Sequence, residues 1–183
     1  MRFRFSILIC SLAVVLSQAQ SDQSQSAKSQ SASIAEKLVG AWQLVSVETV
    51  GPHGEVTYPY YGKHPEGLLI YDRSGWMSVQ IVSDPKPVIP NSDSRAGILA
   101  ASPEEKARAL EGYYAYFGTW TVDPSGPTVT HHLRQSLYPG ERGEDFVRRF
   151  SFDGQRLTLV AKVHEAGEDH QRRLVWARIQ PAL

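Results

Sequence analysis

Two histidines stand side by side in THHLRQSLYP, residues 130–139, and an arginine interrupts the aromatic run FVRRFSF, residues 146–152. An imidazole titrates near neutrality, at about pH 6.5, and can accept or donate a proton there. A guanidinium is a permanent donor for carboxylate, enolate or phenolate oxygens. Both stretches alternate as β-strands do, and neighbouring side chains of a strand point to opposite faces. His131 and His132 therefore cannot chelate one metal together. Val129, His131, Leu133, Gln135 and Leu137 share one face, while Thr130, His132, Arg134, Ser136 and Tyr138 share the other. The first set is the more apolar, so His131 is expected inside and His132 in solvent. Phe146, Arg148, Phe150 and Phe152 likewise share a face, opposite Val147, Arg149 and Ser151. A guanidinium on an aromatic face needs a carboxylate, carbonyls, water or an anionic ligand, because leaving it unpaired there is costly. If the two strands are neighbours, His131 and Arg148 project into one cavity.

Three readings of that pair stay open. In the first it is structural, with Arg148 held by Glu48 or Asp72 and His131 bonded to a tyrosine. In the second it orients an acidic oxygen of a largely apolar ligand. In the third it is catalytic, His131 moving protons while Arg148 holds an anionic oxygen. Aromatic and apolar residues at inward positions are the expected remainder of a ligand wall, or else core filling: Trp42, Met77, Tyr116 and Trp120. Tyr114, Tyr116, Trp120 and Val122 alternate against Ala115, Phe117, Thr119 and Thr121, and Met77, Val79 and Ile81 against Trp76, Ser78 and Gln80.

Other candidates carry less. His64 precedes Pro65 and reads as a loop residue at a rim, and His164 and His170 flank a polar hairpin tip, EAGED. No set of residues has metal-ligand spacing, so no metal and no cofactor is expected. A single inward histidine can ligate haem iron from one side, but nothing else in the sequence supports that. Gly-x-Ser-x-Gly, His-Glu-x-x-His and Gly-x-Gly-x-x-Gly are all missing.

The elements that must position these side chains are strands. Alternation and turn residues predict strands at 41–50, 67–72, 76–82, 114–123, 127–139, 144–152, 156–163 and 172–179, with a short one near 56–60. RSG at 73–75 and DGQ at 153–155 are hairpin turns. The segment 83–97 holds three prolines and reads as a loop, and SPEEKARALEGY at 102–113 reads as one helix, with Ser102 and Glu105 forming a capping box. Eight or nine mostly antiparallel strands in one small domain avoid open edges by closing. The expectation is all-β: an eight- to nine-stranded antiparallel up-and-down barrel with one short helix. At eight strands a barrel has room for one small ligand.

The ends and the charge bound the setting. Arg2 and Arg4 precede an apolar run from Phe5 to Leu16, and Ser17-Gln18-Ala19 supplies small residues for cleavage. This pattern predicts a signal peptide over 1–19 and export to a periplasm or exterior. Residues 20–33 contain only Gln, Ser, Ala, Asp and Lys and read as a disordered tether, leaving 34–183 as one domain. The single cysteine, Cys10, lies in the signal, so the mature chain is expected to lack disulfides, thiolate metal sites and a cysteine nucleophile. Without Arg2 and Arg4 the chain has 17 basic against 19 acidic residues, which argues against a nucleic-acid partner. No segment after the signal is apolar enough to span a membrane.

Several blocks taken in order, LVGAWQLVSVE, HPEGLLIYDRSGWMSVQI, ASPEEKARALEGYYAYFGTWTVD, VTHHLRQSLYP, DFVRRFSFDGQRLTL and LVWARI, resemble the lipocalin-like domain family of bacteria and fungi, over roughly residues 36–180. Gly40-Ala41-Trp42 is similar to the Gly-x-Trp opening of lipocalins proper. The resemblance implies a calycin-type barrel with an internal cavity. It also implies that Trp42 plugs the barrel base under an arginine of the last strand, Arg178 or Arg173. It implies no reaction, since this fold hosts carriers, inhibitors and a few enzymes. The leading expectation is an exported protein binding a small apolar or weakly acidic molecule. The alternative is a cofactor-free isomerase, cyclase or dehydratase acting on a polyketide-like or terpenoid-like molecule.

Overall fold

The computed structural model describes residues 32–89, 92–165 and 167–180. The predicted signal peptide, and the predicted tether up to residue 31, lie outside the described residues.

Nine strands run in chain order: β1 (Gly40–Val50), β2 (Val56–Thr57), β3 (Glu66–Tyr71), β4 (Trp76–Val82), β5 (Tyr113–Val122), β6 (Thr128–Ser136), β7 (Asp145–Asp153), β8 (Arg156–Glu165) and β9 (Glu168–Arg178). All pairings are antiparallel: β1 pairs with both β2 and β3, β3 to β9 pair in succession, and β9 returns to β1 along most of its length, from Trp42↔Arg178 to Val50↔Gln171. Eight strands thus close into a barrel, and β2 adds a short extra rung on the end of β1. Closure leaves each long strand paired on both sides, which removes the open edges of a flat sheet.

The inward face is the one that alternation predicts. Leu69 and Tyr71, Met77, Val79 and Ile81, Tyr116 and Trp120, Val129, His131 and Leu133, Leu157, Leu159 and Ala161 are all buried. Two bulges interrupt the phase. Register slips between Leu44 and Ser46, so Trp42 and Leu44 point inward before it and Val47 and Thr49 after it. In β6, Phe117 pairs with Gln135 and Gly118 with Leu133, leaving Arg134 as the extra residue. The expectation that Gln135 and Leu137 continue the inward face of His131 is therefore corrected: beyond the bulge Ser136 stands opposite the inward Tyr116. A bulge adds one residue to one strand and re-aims all that follow. Gly118 is required there, because a Cβ on it would lie 1.9 Å from the His132 carbonyl oxygen.

The expectation of one helix is also corrected. Residues 32–38 form a helix, α1, so Ala32 and Ser33 of the predicted tether are helical. A second, α2 (Arg95–Ala100), starts at Ser94, whose Oγ accepts the Gly97 N–H at 3.0 Å. The prolines that mark the loop stop short of it. The predicted helix is α3 (Pro103–Glu111), with both bonds of the Ser102–Glu105 capping box formed. The strand expected over 127–139 stops at Ser136, and a 3₁₀ turn follows at Pro139–Glu141.

One end of the barrel is packed shut. Leu38, Trp42, Leu69, Tyr71, Leu157 and Trp176 are almost wholly buried. The Trp42 indole donates to the Leu38 carbonyl at 2.9 Å. Arg178 lies over the Trp42 ring at 4.1 Å and donates to the carbonyls of Val39 and Lys37 at the C-terminal end of α1. A cation at this end also suits the negative pole of the helix. Arg173 instead bonds Glu48 at 2.6 Å, so Arg178 is the arginine that caps the tryptophan.

Candidate functional site

At the other end the barrel holds a cavity of about 960 Å³, within the range of pockets that take one small molecule. Its inner wall includes Val79, Ile81, Tyr116, His131, Leu159 and Trp176. Its rim carries Tyr60, Tyr138, Glu141, Arg148, Glu165 and Arg172. Helix α3 reaches this wall through its last residue, Glu111.

His131 comes from the middle of β6, between Trp120 of β5 and Phe146 of β7 in the ladder. Both of its nitrogens are engaged. Nε2 lies 2.6 Å from the Tyr71 hydroxyl and Nδ1 lies 2.8 Å from the Tyr116 hydroxyl. The residue is buried, and burial, helped by the positive charge of Arg148, lowers its pKa to about 3. It is a neutral imidazole near neutral pH. Burial pushes the Tyr116 phenol up to about 12, against the opposing pull of Arg148, and raises Tyr71 as well. All three groups of this chain are uncharged at neutral pH.

Arg148 enters the same cavity from β7. Its guanidinium lies 4.9 Å from the centre of the Phe146 ring and donates to its neighbour's carbonyl, that of Val147, at 3.3 Å. Among the described residues no carboxylate pairs with it. Glu48 is taken by Arg173, and Asp72 accepts the Ser74 N–H at 2.9 Å. The structural reading of the pair is thus met at the histidine and not at the arginine.

Of the six residues that the sequence nominated, Tyr116, His131 and Arg148 border the cavity together. Trp42, Met77 and Trp120 are buried elsewhere in the core and are not part of its wall. Trp42 belongs to the closed base. Trp120 donates to the Asp72 carbonyl at 3.2 Å and lies against Tyr71, centroids 4.8 Å apart. His132 faces outward, between Asp145 at 2.6 Å and the Thr121 hydroxyl at 2.9 Å. His64 is exposed, and His164 bonds Asp169 at 2.8 Å on the β8–β9 hairpin.

The chain matches the family model described as a lipocalin-like domain over residues 39–179. The chain belongs to the lipocalin-like domain family. No curated protein matches it. The closed antiparallel barrel with one extra strand is the fold expected of this lipocalin-like domain, and the fold supports small-molecule binding of the calycin type.

Two wall residues of the lipocalin-like barrel had no place in the sequence reading. Arg172 and Trp176 lie on the inward face of β9. Alternation across RRLVWARI separates Arg172, Leu174, Trp176 and Arg178 from Arg173, Val175 and Ala177, and that signal would have found them. Arg172 holds Glu165 through two bonds, 2.7 and 2.8 Å, and lies 5.0 Å from the Tyr60 ring centre. The tyrosines of the rim come from distant loops, and only closure brings them together.

Proposed function

We propose that this lipocalin-like protein binds a small, largely apolar molecule bearing an acidic oxygen, held inside the barrel with that oxygen toward Arg148. One observation carries the reading: Arg148, a guanidinium without a carboxylate partner among the described residues, borders a cavity whose inner wall is mostly apolar and aromatic, with charged groups at its rim. A cation so placed keeps its charge at low cost when an anion completes it. The same reading makes the protein an exported carrier. The N-terminal sequence pattern supports that part, and the near-neutral charge supports a partner other than nucleic acid.

The cofactor-free isomerase, cyclase or dehydratase is a second reading, and it draws on the contact between His131 and Tyr116. Any proton exchanged with a substrate would pass through the Tyr116 hydroxyl, since both imidazole nitrogens are occupied. The haem reading would require one of those two bonds to break.

Titration calorimetry with 2-naphthoate and with naphthalene, its uncharged core, tests the carrier reading. The carboxylate should bind one molecule per chain and more tightly than naphthalene. Arg148→Met should weaken it roughly 10- to 100-fold, as loss of a partly desolvated charge partner does, with little effect on naphthalene. Equal binding of 2-naphthoate to both proteins, or no binding to either, would contradict the proposal.

A further inference from the structure

Tyr71 and Tyr116 approach one imidazole from opposite nitrogens, at 2.6 and 2.8 Å. A neutral imidazole has one N–H and one bare nitrogen. One tyrosine must therefore donate to His131 while the other accepts from it. The two phenols differ in what else they can reach. Tyr71 is 1% exposed and no part of the cavity wall, and among the described residues its hydroxyl has His131 as its sole partner. Tyr116 borders the cavity. If Tyr71 accepted, its own O–H would be buried without an acceptor, which is the costly arrangement. The favourable one has Tyr71 donating to Nε2 and the Nδ1–H donating to Tyr116 Oη. The Tyr116 O–H is then left to donate toward the cavity.

Arg148, which enters the same cavity, has the same polarity. A guanidinium donates and never accepts. Of the carboxylates around the cavity, Glu111 stands exposed at the end of α3, Asp145 is bonded to the outward His132, and two more are engaged at the rim. Glu165 accepts twice from Arg172, and Glu141 accepts from Tyr114 at 2.8 Å and from Ser136 Oγ at 2.5 Å.

We infer that the Tyr116 hydroxyl presents a hydrogen-bond donor to the inner cavity, fixed in that role by Tyr71 and His131, beside the donor Arg148. Its occupant carries bare acceptor oxygens on an apolar frame: a carbonyl, a carboxylate or a phenolate. This rests on the carrier reading and sharpens it, because it makes hydrogen-bond polarity a determinant separate from charge. A neutral ketone is accepted, and an ammonium group of the same size is refused.

The test uses the full chain and three probes of one shape: naphthalene, 2-acetylnaphthalene and 2-(aminomethyl)naphthalene in its ammonium form. The ketone should bind roughly tenfold or more tightly than the ammonium. Tyr116→Phe should abolish most of the ketone's advantage over naphthalene, a readout that the charge of Arg148 does not move. Nitrogen-15 NMR of His131 should show Nδ1 protonated and Nε2 bare. A proton on Nε2, or an ammonium bound as tightly as the ketone, would overturn the inference and leave the carrier reading standing. Failure of all three probes to bind, with His131 protonated on Nδ1, would overturn the carrier reading and the pocket's selectivity with it.

Discussion

His131 is held as a neutral base because an imidazolium at its position would be buried beside Arg148 and would turn Tyr71 from donor to acceptor, leaving the Tyr71 O–H without a partner. Unfolding releases that constraint. The unfolded imidazole takes up a proton through its ordinary value of 6.5, while the folded one resists until about 3. The folded pKa is the lowered one, so the unfolded state binds more protons in this window. Stability is complete above about pH 6.5 and is lost as pH falls, at up to about 1.4 kcal/mol per pH unit from this group. Urea unfolding at pH 7 and at pH 5 should show this slope in the native sequence and a shallower one in His131→Gln. Equal slopes would mean that His131 titrates freely in the fold. The inward placement of His131 and Arg148 was legible because period-two alternation needs only neighbours along the chain. Which tyrosines bond His131 was not. Tyr71 is 60 residues away in sequence, and its contact exists only because the barrel closes.

At the scale of elements, the strands were legible wherever turn chemistry bounds them. The Asp72–Gly75 and Asp153–Gln155 hairpins fall where RSG and DGQ predict them. Bulges were not legible, because an extra residue leaves composition and alternation on either side intact and only reverses their phase. Nor was α1, whose last turn is secured by groups from the far end of the chain. Arg178 joins three things at once: the C-terminal carbonyls of α1, the Trp42 ring and the end of β9. Arg178→Met should therefore destabilise the protein by about 2 kcal/mol or more, the sum of a cation–π contact and charge-assisted bonds to carbonyls. Amide exchange should quicken first in α1. Arg178→Lys should recover only part of the loss, since an ammonium lacks the planar fork that spans ring and carbonyls. Unchanged exchange in α1 would mean that Leu38 alone anchors the helix.

The whole molecule is a barrel with two unlike ends. One is closed by α1, Leu38, Trp42 and Arg178, and the other opens on a cavity to which Tyr116 and Arg148 present donors. That division explains why aromatic residues at inward positions split between two tasks. Trp42 and Trp120 fill space near the closed end, Tyr116 borders the cavity, and Trp176, packed in the closed end, also borders it. The sequence places all of them inside, but depth along the barrel follows from strand stagger, which alternation does not encode. The four tryptophans sample these environments separately. The Trp42 indole is bonded to Leu38, the Trp120 indole to the Asp72 carbonyl, Trp76 is 49% exposed on the outer face, and the Trp176 N–H is buried without a partner among the described residues in a side chain that borders the cavity. The most direct measurement is a proton–nitrogen NMR titration of the four indole N–H signals with 2-naphthoate. A saturable shift of the Trp176 signal, with those of Trp42, Trp76 and Trp120 nearly still, is the result predicted for a ligand inside the barrel. A shift confined to Trp76, or four signals that never move, would contradict it.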